Sequence, residues 1–402
     1  MFFSDYIVFL YIALFVLVYN TLKAFVKHRA VKDLVVILGS VLVLLTVVVE
    51  HTLIVLGVLS VLVFICGKLL QHRRSKWVLA LTLLFVIILF CIRNYPFVQH
   101  ILESSYLSFI NEPVLSVQKL GISYILFRYV HWLVESYRKT IHRSNLFTFL
   151  NYIFFFPNYL AGPIDTYKNF HYWMGNTRFR YHRSLFFAGI SRIFTGAVKT
   201  LIIVPMVIDY ALDYSILIPE FSAFSALMLS LLAYSAYIYF DFSGYSDIAI
   251  GTACLIGIRT PENFNNPYFS ANLSVFWKRW HMTFSGFLFA YVFRPSLAFL
   301  NRLFPRFPRI SVTIGGYMFT FFVCGLWHGE TVNFVYWGLW HGLGLSIGKA
   351  WLVYVPVSVR IKNNLIYKGG SILLTFLFIT MGWMFFHYSG DELTYIITNI
   401  IF

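Results

Sequence analysis

A histidine at the end of an apolar run is the first residue in this chain whose setting suggests chemistry. His328 lies in Cys324-Gly325-Leu326-Trp327-His328-Gly329-Glu330, and a second Trp-His-Gly follows at Trp340-His341-Gly342. A buried imidazole kept neutral by desolvation can take a proton from a hydroxyl. The plain alternative is a helix-end histidine held by a structural hydrogen bond. The tryptophan flank, and the close backbone approach that Gly329 permits, favour function. His281 is the second candidate, in Phe276-Trp277-Lys278-Arg279-Trp280-His281-Met282-Thr283. Two cations and two indoles beside an imidazole suit the mouth of a binding site. They equally suit an interfacial cluster whose cations reach lipid headgroups.

Two further stretches carry polar groups at apolar depth. Tyr239-Phe240-Asp241-Phe242-Ser243-Gly244-Tyr245-Ser246-Asp247 places acids and hydroxyls on a helix wall that faces either a cavity or a neighbouring helix. Asn158-Tyr159-Leu160-Ala161-Gly162-Pro163-Ile164-Asp165 is a helix-breaking turn ending in an acid, with Arg279 or Arg183 as possible partners for Asp165. No His pair at i, i+4 and no His/Cys/Asp quartet occurs, so no metal site is expected. A nucleophile elbow, a P-loop and a dinucleotide glycine motif are likewise missing from the sequence.

The elements that position these residues are set by composition. The 402 residues are 59% hydrophobic and only 12% charged. Mean hydropathy is +0.74. Soluble domains are nearer half apolar and one quarter charged, so a soluble enzyme, a disulfide scaffold and a disordered chain are excluded. Uncharged apolar runs fall at 6–22, 34–49, 51–67, 77–92, 114–127, 146–164, 221–240, 311–327, 331–348 and 370–389. With roughly 20 apolar residues per span, these predict about ten crossings. Weaker segments at 184–208, 241–258 and 282–300 carry Ser, Gly, Thr or a lone cation and are expected to face protein or a cavity. The first run lacks a basic leader and a cleavage site, so it is expected to remain as a span. Cys66, Cys91, Cys254 and Cys324 sit in apolar runs and read as small core residues.

The net charge of +15 fits cytoplasmic loops obeying the positive-inside rule, and no nucleic-acid-binding module accompanies it. Lys23, Lys27, Arg29 and Lys32 follow the first run, and Lys68, Arg73, Arg74 and Lys76 follow the third. That alternation places the N-terminus outside. It breaks at Lys168, Arg178, Arg180 and Arg183, where 146–164 is either a re-entrant hairpin with Pro157, Gly162 and Pro163 as breakers or a miscounted span. Residues 259–281 are too polar to cross lipid and too aromatic for a solvated loop, which fits a segment dipping into a protein-lined cavity.

Taken in order, Gly162-Pro163-Ile164-Asp165, Asp241-Phe242-Ser243-Gly244-Tyr245-Ser246, Pro261-Glu262-Asn263-Phe264-Asn265, Phe276-Trp277-Lys278-Arg279-Trp280-His281 and Trp327-His328-Gly329 resemble the membrane-bound O-acyltransferase (MBOAT) family over about residues 115–345. The resemblance implies an all-α integral membrane protein, a ring of about 10–12 tilted and re-entrant helices around a central tunnel, in one domain over 1–402. It implies that His328 and His281 are the catalytic histidines. We expect Trp280, Trp327, Lys278, Arg279, Asp241, Ser243, Tyr245, Asn265, Asp165 and Arg128 to contact substrate.

The resemblance further implies that an acyl group passes from a cytoplasmic donor to a hydroxyl of an extracytoplasmic polymer. Gly121-Ile122-Ser123-Tyr124, Phe127-Arg128 and Trp280-His281-Met282 look more like the branch that D-alanylates teichoic acids than the polysaccharide O-acetylases typified by alginate acetylation. The family usually carries Arg-Asp about eight residues beyond the Trp-His histidine, where this chain has Phe289 and Ala290. No bound cofactor is expected; a phosphopantetheine-linked acyl donor would be substrate. Expected partners are an acyl carrier protein at the cytoplasmic face, an extracytoplasmic transferase or acceptor-polymer protein, and membrane lipids, with no nucleic acid. The expected location is the bacterial plasma membrane, multi-pass. A transporter using a His/Asp relay is the competing class, although the two halves show no inverted repeat; a structural scaffold is a third.

Overall fold

A computed structural model describes residues 6–25, 29–95, 98, 121–175 and 183–401. Apolar run 114–127 before residue 121, and the cations Lys27, Arg178 and Arg180, lie outside the described residues. The described chain is helical, with no strand among the described residues. Two compact units form, one from residues 1–200 with 244–261, the other from 201–243 with 262–402.

The first unit contains α1 (Tyr6–Phe25), α2 (Arg29–Leu44), α3 (Glu50–His72), α4 (Lys76–Asn94), α5 (Ile122–Tyr137), α6 (Leu146–Phe154), α7 (Tyr167–Gly175) and the first part of α8 (Arg183–Leu212). Its core is aromatic. Trp132 is fully buried and donates its indole N–H to the Val63 carbonyl at 3.2 Å. Gly67 lies flat against that indole, where any Cβ would collide. Tyr129 and Ser60 share a hydrogen bond of 2.7 Å between α5 and α3.

The run 146–164 breaks after Phe154. Phe156–Asn158 forms a short 3₁₀ turn with Pro157 inside it, and helix resumes only at Tyr167. Proline supplies no N–H for a continuing helix, so the carbonyls ahead of it need other donors.

The second unit contains the rest of α8, most of α9 (Ala223–Leu255), α10 (Leu273–Trp277), α11 (Met282–Leu303), α12 (Arg309–His328), α13 (Val332–Tyr354), α14 (Val359–Asn363), α15 (Leu365–His387) and α16 (Gly390–Tyr395), which runs on as a π-helix over Ile396–Ile401. The separate weak segment expected at 241–258 is instead the C-terminal part of the continuous α9. Its glycines serve packing: a Cβ on Gly196 would meet the Gly244 carbonyl at 2.6 Å, and one on Gly189 the Gly251 carbonyl at 2.8 Å. Small residues let two membrane helices approach at backbone distance. Another face of α8 is open, where Phe187, Phe194, Ile202 and Met206 point outward. The expectation that 184–208 faces protein or a cavity thus describes one face of the helix and not the other.

Among the described residues, six helices are long and apolar enough to cross a membrane: Glu50–His72, Arg183–Leu212, Ala223–Leu255, Met282–Leu303, Arg309–His328 and Leu365–His387. Shorter apolar helices cover Phe9–Leu22 and Lys76–Ile92. The remaining expected runs fall in broken or short helices, or in α13, which is diluted by Trp, Gly and His.

Candidate functional site

Helices α12 and α13 form an antiparallel hairpin that presents His328. The hairpin is tight because glycines line its seam: a Cβ on Gly325 would strike the Phe334 carbonyl, and one on Gly338 the Phe321 carbonyl. His328 is the last residue of α12 and is half-buried. Its ring lies 4.5 Å from Trp327, 4.8 Å from Trp337 and 5.0 Å from Phe386, the latter two edge-on. No polar side chain among the described residues hydrogen-bonds it, so the imidazole sits in an aromatic enclosure of low dielectric.

His281 is held differently. It precedes α11 in the left-handed region at φ 41°. That conformation is uncommon for a residue with a Cβ and typically persists where the surroundings over-determine it. The determinant is Asn263, which is fully buried. Asn263 Oδ1 lies 3.0 Å from His281 Nδ1, 2.9 Å from Thr283 Oγ1 and 3.4 Å from the Thr283 backbone nitrogen. The Thr283 amide can only donate, so the Asn263 atom facing it is the oxygen. Nδ1 of His281 therefore carries the proton, and the lone pair resides on Nε2. Burial, and then the neighbouring His328, hold the His281 pKa well below the usual imidazole range.

Phe284 links the two histidines. It stacks on His281 at 4.9 Å, contacts Trp327 at 4.5 Å and meets His328 at 6.3 Å. Phe242 of α9 covers His281 edge-on at 4.6 Å, and Trp280 lies against Phe264 at 5.1 Å and Trp383 at 5.4 Å. The site thus combines two imidazoles with a surround of aromatic rings.

The remaining expected residues divide between the units. In the second unit, Trp280 and Trp327 line the enclosure. Lys278 is exposed, and Arg279 donates to the Phe269 carbonyl at 3.2 Å. Asp241 and Ser243 share α9 with Phe242, but Phe242 is the residue that touches His281. Ser243 is buried, and its hydroxyl has no partner among the described residues. Asn265 is exposed and contributes its backbone N–H to the Arg279 carbonyl, so the asparagine that touches a histidine is Asn263, two positions earlier. The Pro-Glu-Asn-Phe-Asn motif contained the signal, without saying which asparagine turned inward. Phe289 and Ala290 open a π-helical segment, Phe289–Phe293, and the Arg294 guanidinium lies 4.6 Å over the Phe289 ring.

In the first unit, three expected substrate contacts act on the chain itself. Arg128 is buried and donates to the carbonyls of Tyr152, at 3.0 Å, of Ile153 and of Asn158. It caps the break after α6. Tyr245 pins the same turn, accepting from the Ala161 amide at 3.1 Å and donating to the Pro157 carbonyl at 3.2 Å. Asp165 accepts from Asn169 Nδ2 at 2.9 Å and from the Thr166 amide at 2.7 Å, instead of from Arg279 or Arg183. Burial raises its carboxyl to about 7 against these bonds.

Comparison with known proteins adds an independent line. The model of the membrane-bound O-acyltransferase family matches residues 70–390. A probable alginate O-acetylase of Pseudomonas aeruginosa is 32% identical over 269 residues, 66% of this chain and 48% of that protein. The teichoic acid D-alanyltransferase of Bacillus subtilis is 30% identical over 281 residues, 67% of this chain and 68% of that protein. A peptidoglycan O-acetyltransferase of Helicobacter pylori is 30% identical over 251 residues, 62% of this chain and 45% of that protein. The chain therefore spans about half the length of the O-acetylases it matches and two thirds of the D-alanyltransferase.

Proposed function

This chain belongs to the membrane-bound O-acyltransferase family, and from that premise we propose that it transfers an activated acyl group to the hydroxyl of a cell-envelope polymer at the bacterial plasma membrane. The observation that carries the reading is the pair His281 and His328, linked by Phe284 inside an aromatic enclosure. Acyl transfer from a thioester needs a base that is neutral at working pH and a setting that keeps water from the thioester.

In the proposed step, the acceptor oxygen attacks the thioester carbonyl while His328 takes the hydroxyl proton. The C–O ester bond forms, the C–S bond breaks, and the proton passes from the imidazolium to the departing thiolate. General base catalysis of this kind typically contributes about 10²–10⁴-fold. His281, its Nδ1 proton fixed by Asn263, lines the donor side.

The acyl group of this proposal is D-alanyl, supported by Gly121-Ile122-Ser123-Tyr124, by Trp280-His281-Met282 and by the Bacillus relative. An acetyl group is the second reading, favoured by the Pseudomonas and Helicobacter relatives. The donor would be phosphopantetheine-linked and delivered by an acidic carrier protein to the exposed Lys278 on the cytoplasmic side. An extracytoplasmic partner would present the acceptor.

Membranes containing wild type or His328→Ala, supplied with labelled D-alanyl or acetyl thioesters of N-acetylcysteamine, test this directly. We expect label to reach polymer hydroxyls in wild type and to be lost in His328→Ala at unchanged protein level. Full transfer by His328→Ala would end the assignment. Transport of the label without ester formation would favour a transporter. Lys278→Glu is expected to raise the half-saturating concentration of a carrier-borne donor and to leave that of the small thioester unchanged.

A further inference from the structure

His341 is buried completely, and neither of its ring nitrogens has a hydrogen-bond partner among the described residues. It lies in α13, edge-on to Trp277 at 5.1 Å and to Trp337 at 5.0 Å. The indole nitrogens of Trp277 and Trp337 are also buried without a partner among the described residues. Trp337 in turn stands 4.8 Å from His328. Three neighbouring rings, those of Trp277, Trp337 and His341, therefore carry four buried polar atoms with no partner among the described residues, and Trp337 also borders the proposed base.

The fold does supply acceptors to other indoles. Trp340 donates to the Phe378 carbonyl at 3.0 Å, and Trp132 to that of Val63 at 3.2 Å. Buried polar groups in proteins are nearly always bonded, and each exception calls for an explanation. A purely apolar ring at these positions would bring no polar group to desolvate. Gly382 adds a steric clue. A Cβ there would stand 3.2 Å from His341 Nε2 and 3.1 Å from Trp340 Nε1, so α15 keeps the ground beside Nε2 free of a side chain.

The unmatched groups specify their complement. Two indole N–H groups need acceptor lone pairs, and the unprotonated imidazole nitrogen needs a donor. A hydroxyl offers one O–H and two lone pairs. A thioester carbonyl accepts only, and would leave the imidazole nitrogen unmatched. A carboxylate or phosphate would bring charge into an aromatic surround with no cation in contact.

We propose that Trp277, Trp337 and His341 form a hydroxyl-holding subsite beside His328, which seats the alcohol whose proton His328 removes. The proposal rests on the acyl-transfer reading. A hydroxyl reaches such a site either as the acceptor alcohol or as water, and the experiment separates the two.

Full-length protein in detergent is assayed with the acetyl thioester of N-acetylcysteamine as donor and glycerol as acceptor. Trp277→Phe and Trp337→Phe keep an aromatic ring and remove the five-membered ring that carries the N–H. Each is expected to raise the glycerol concentration at half-maximal rate by about two- to tenfold, the range one neutral hydrogen bond supplies, with the thioester KM unchanged. Gly382→Ala, which leaves every polar group in place, is expected to raise it as well by crowding Nε2. If the occupant is water, the Phe variants lower the melting temperature and leave the glycerol constant unchanged, which overturns the proposal. Should a Phe variant not be recovered folded, an unchanged glycerol constant in Gly382→Ala overturns it equally. A wild type that makes no glycerol ester overturns this subsite and the acyl-transfer reading together. An active wild type with unaltered variants overturns the subsite alone.

Discussion

Asn263 shows how a single buried amide sets the chemistry of a neighbouring histidine. Its Oδ1 holds both His281 Nδ1 and Thr283, so Asn263→Ala leaves an imidazole N–H unmatched in the interior. The expected loss is about 1–3 kcal/mol, read as a lower melting temperature in detergent. Asp165 makes a pH prediction. Its carboxyl stands at about 7 in the fold against 3.8 for the free group, so between those values the folded chain binds more protons than the unfolded one. Stability is then highest below about pH 4, falls as pH rises to 7 and levels off above it. Asp165→Asn is expected to flatten that fall, measured by thermal unfolding at pH 4.5 and 7.5. At this scale the histidines stood out as candidates, because a tryptophan precedes each of them. Asn263 was not distinguishable from Asn265, since an irregular loop has no period that assigns a side chain to a face. The capping role of Arg128 was not legible for a related reason: its acceptors are carbonyls 24 to 30 positions along the chain, freed by a helix break.

The α12–α13 hairpin positions His328 against Trp337, and it depends on backbone contact at Gly325 and Gly338. Gly338→Ala must push the Phe321 backbone away. A cost of about 1–3 kcal/mol and loss of acyl transfer are expected together. Gly348→Ala, on the same helix with open space around it, is expected to be neutral or slightly stabilising, because alanine is the better helix former. Comparing the two variants by melting temperature isolates the seam from general helix propensity. Arg128→Lys addresses the break after α6. A lysine presents one ammonium in place of a planar fork and cannot serve three carbonyls in the same way, so it is expected to melt lower than wild type. Apolar runs were enough to locate most helices. They did not reveal that 221–240 and 241–258 are one helix, because Ser and Gly inside it mimic a boundary when their role is contact with α8.

As a whole molecule the chain turns many apolar side chains outward. Leu365 and Ile366 are more than four-fifths exposed, and Leu14, Leu42, Phe187 and Met206 are exposed as well. A water-soluble protein rarely exposes so many large apolar side chains. The chain is accordingly expected to stay in the membrane pellet through alkaline carbonate washing and to require detergent for release; recovery in the wash would contradict the membrane assignment. Composition alone settled that much, since burying 59% hydrophobic residues with 12% charged ones needs lipid as the solvent. The sequence by itself also determined that the chain is helical and that His281 and His328 are its chemical candidates, because period and flanking residue type are local properties. Only the tertiary structure decided which groups those imidazoles meet. Asn263 reaches His281 from the loop before it, and Phe284 and Trp337 reach His328 from two other helices, and a contact made by packing leaves no trace in the spacing of either partner.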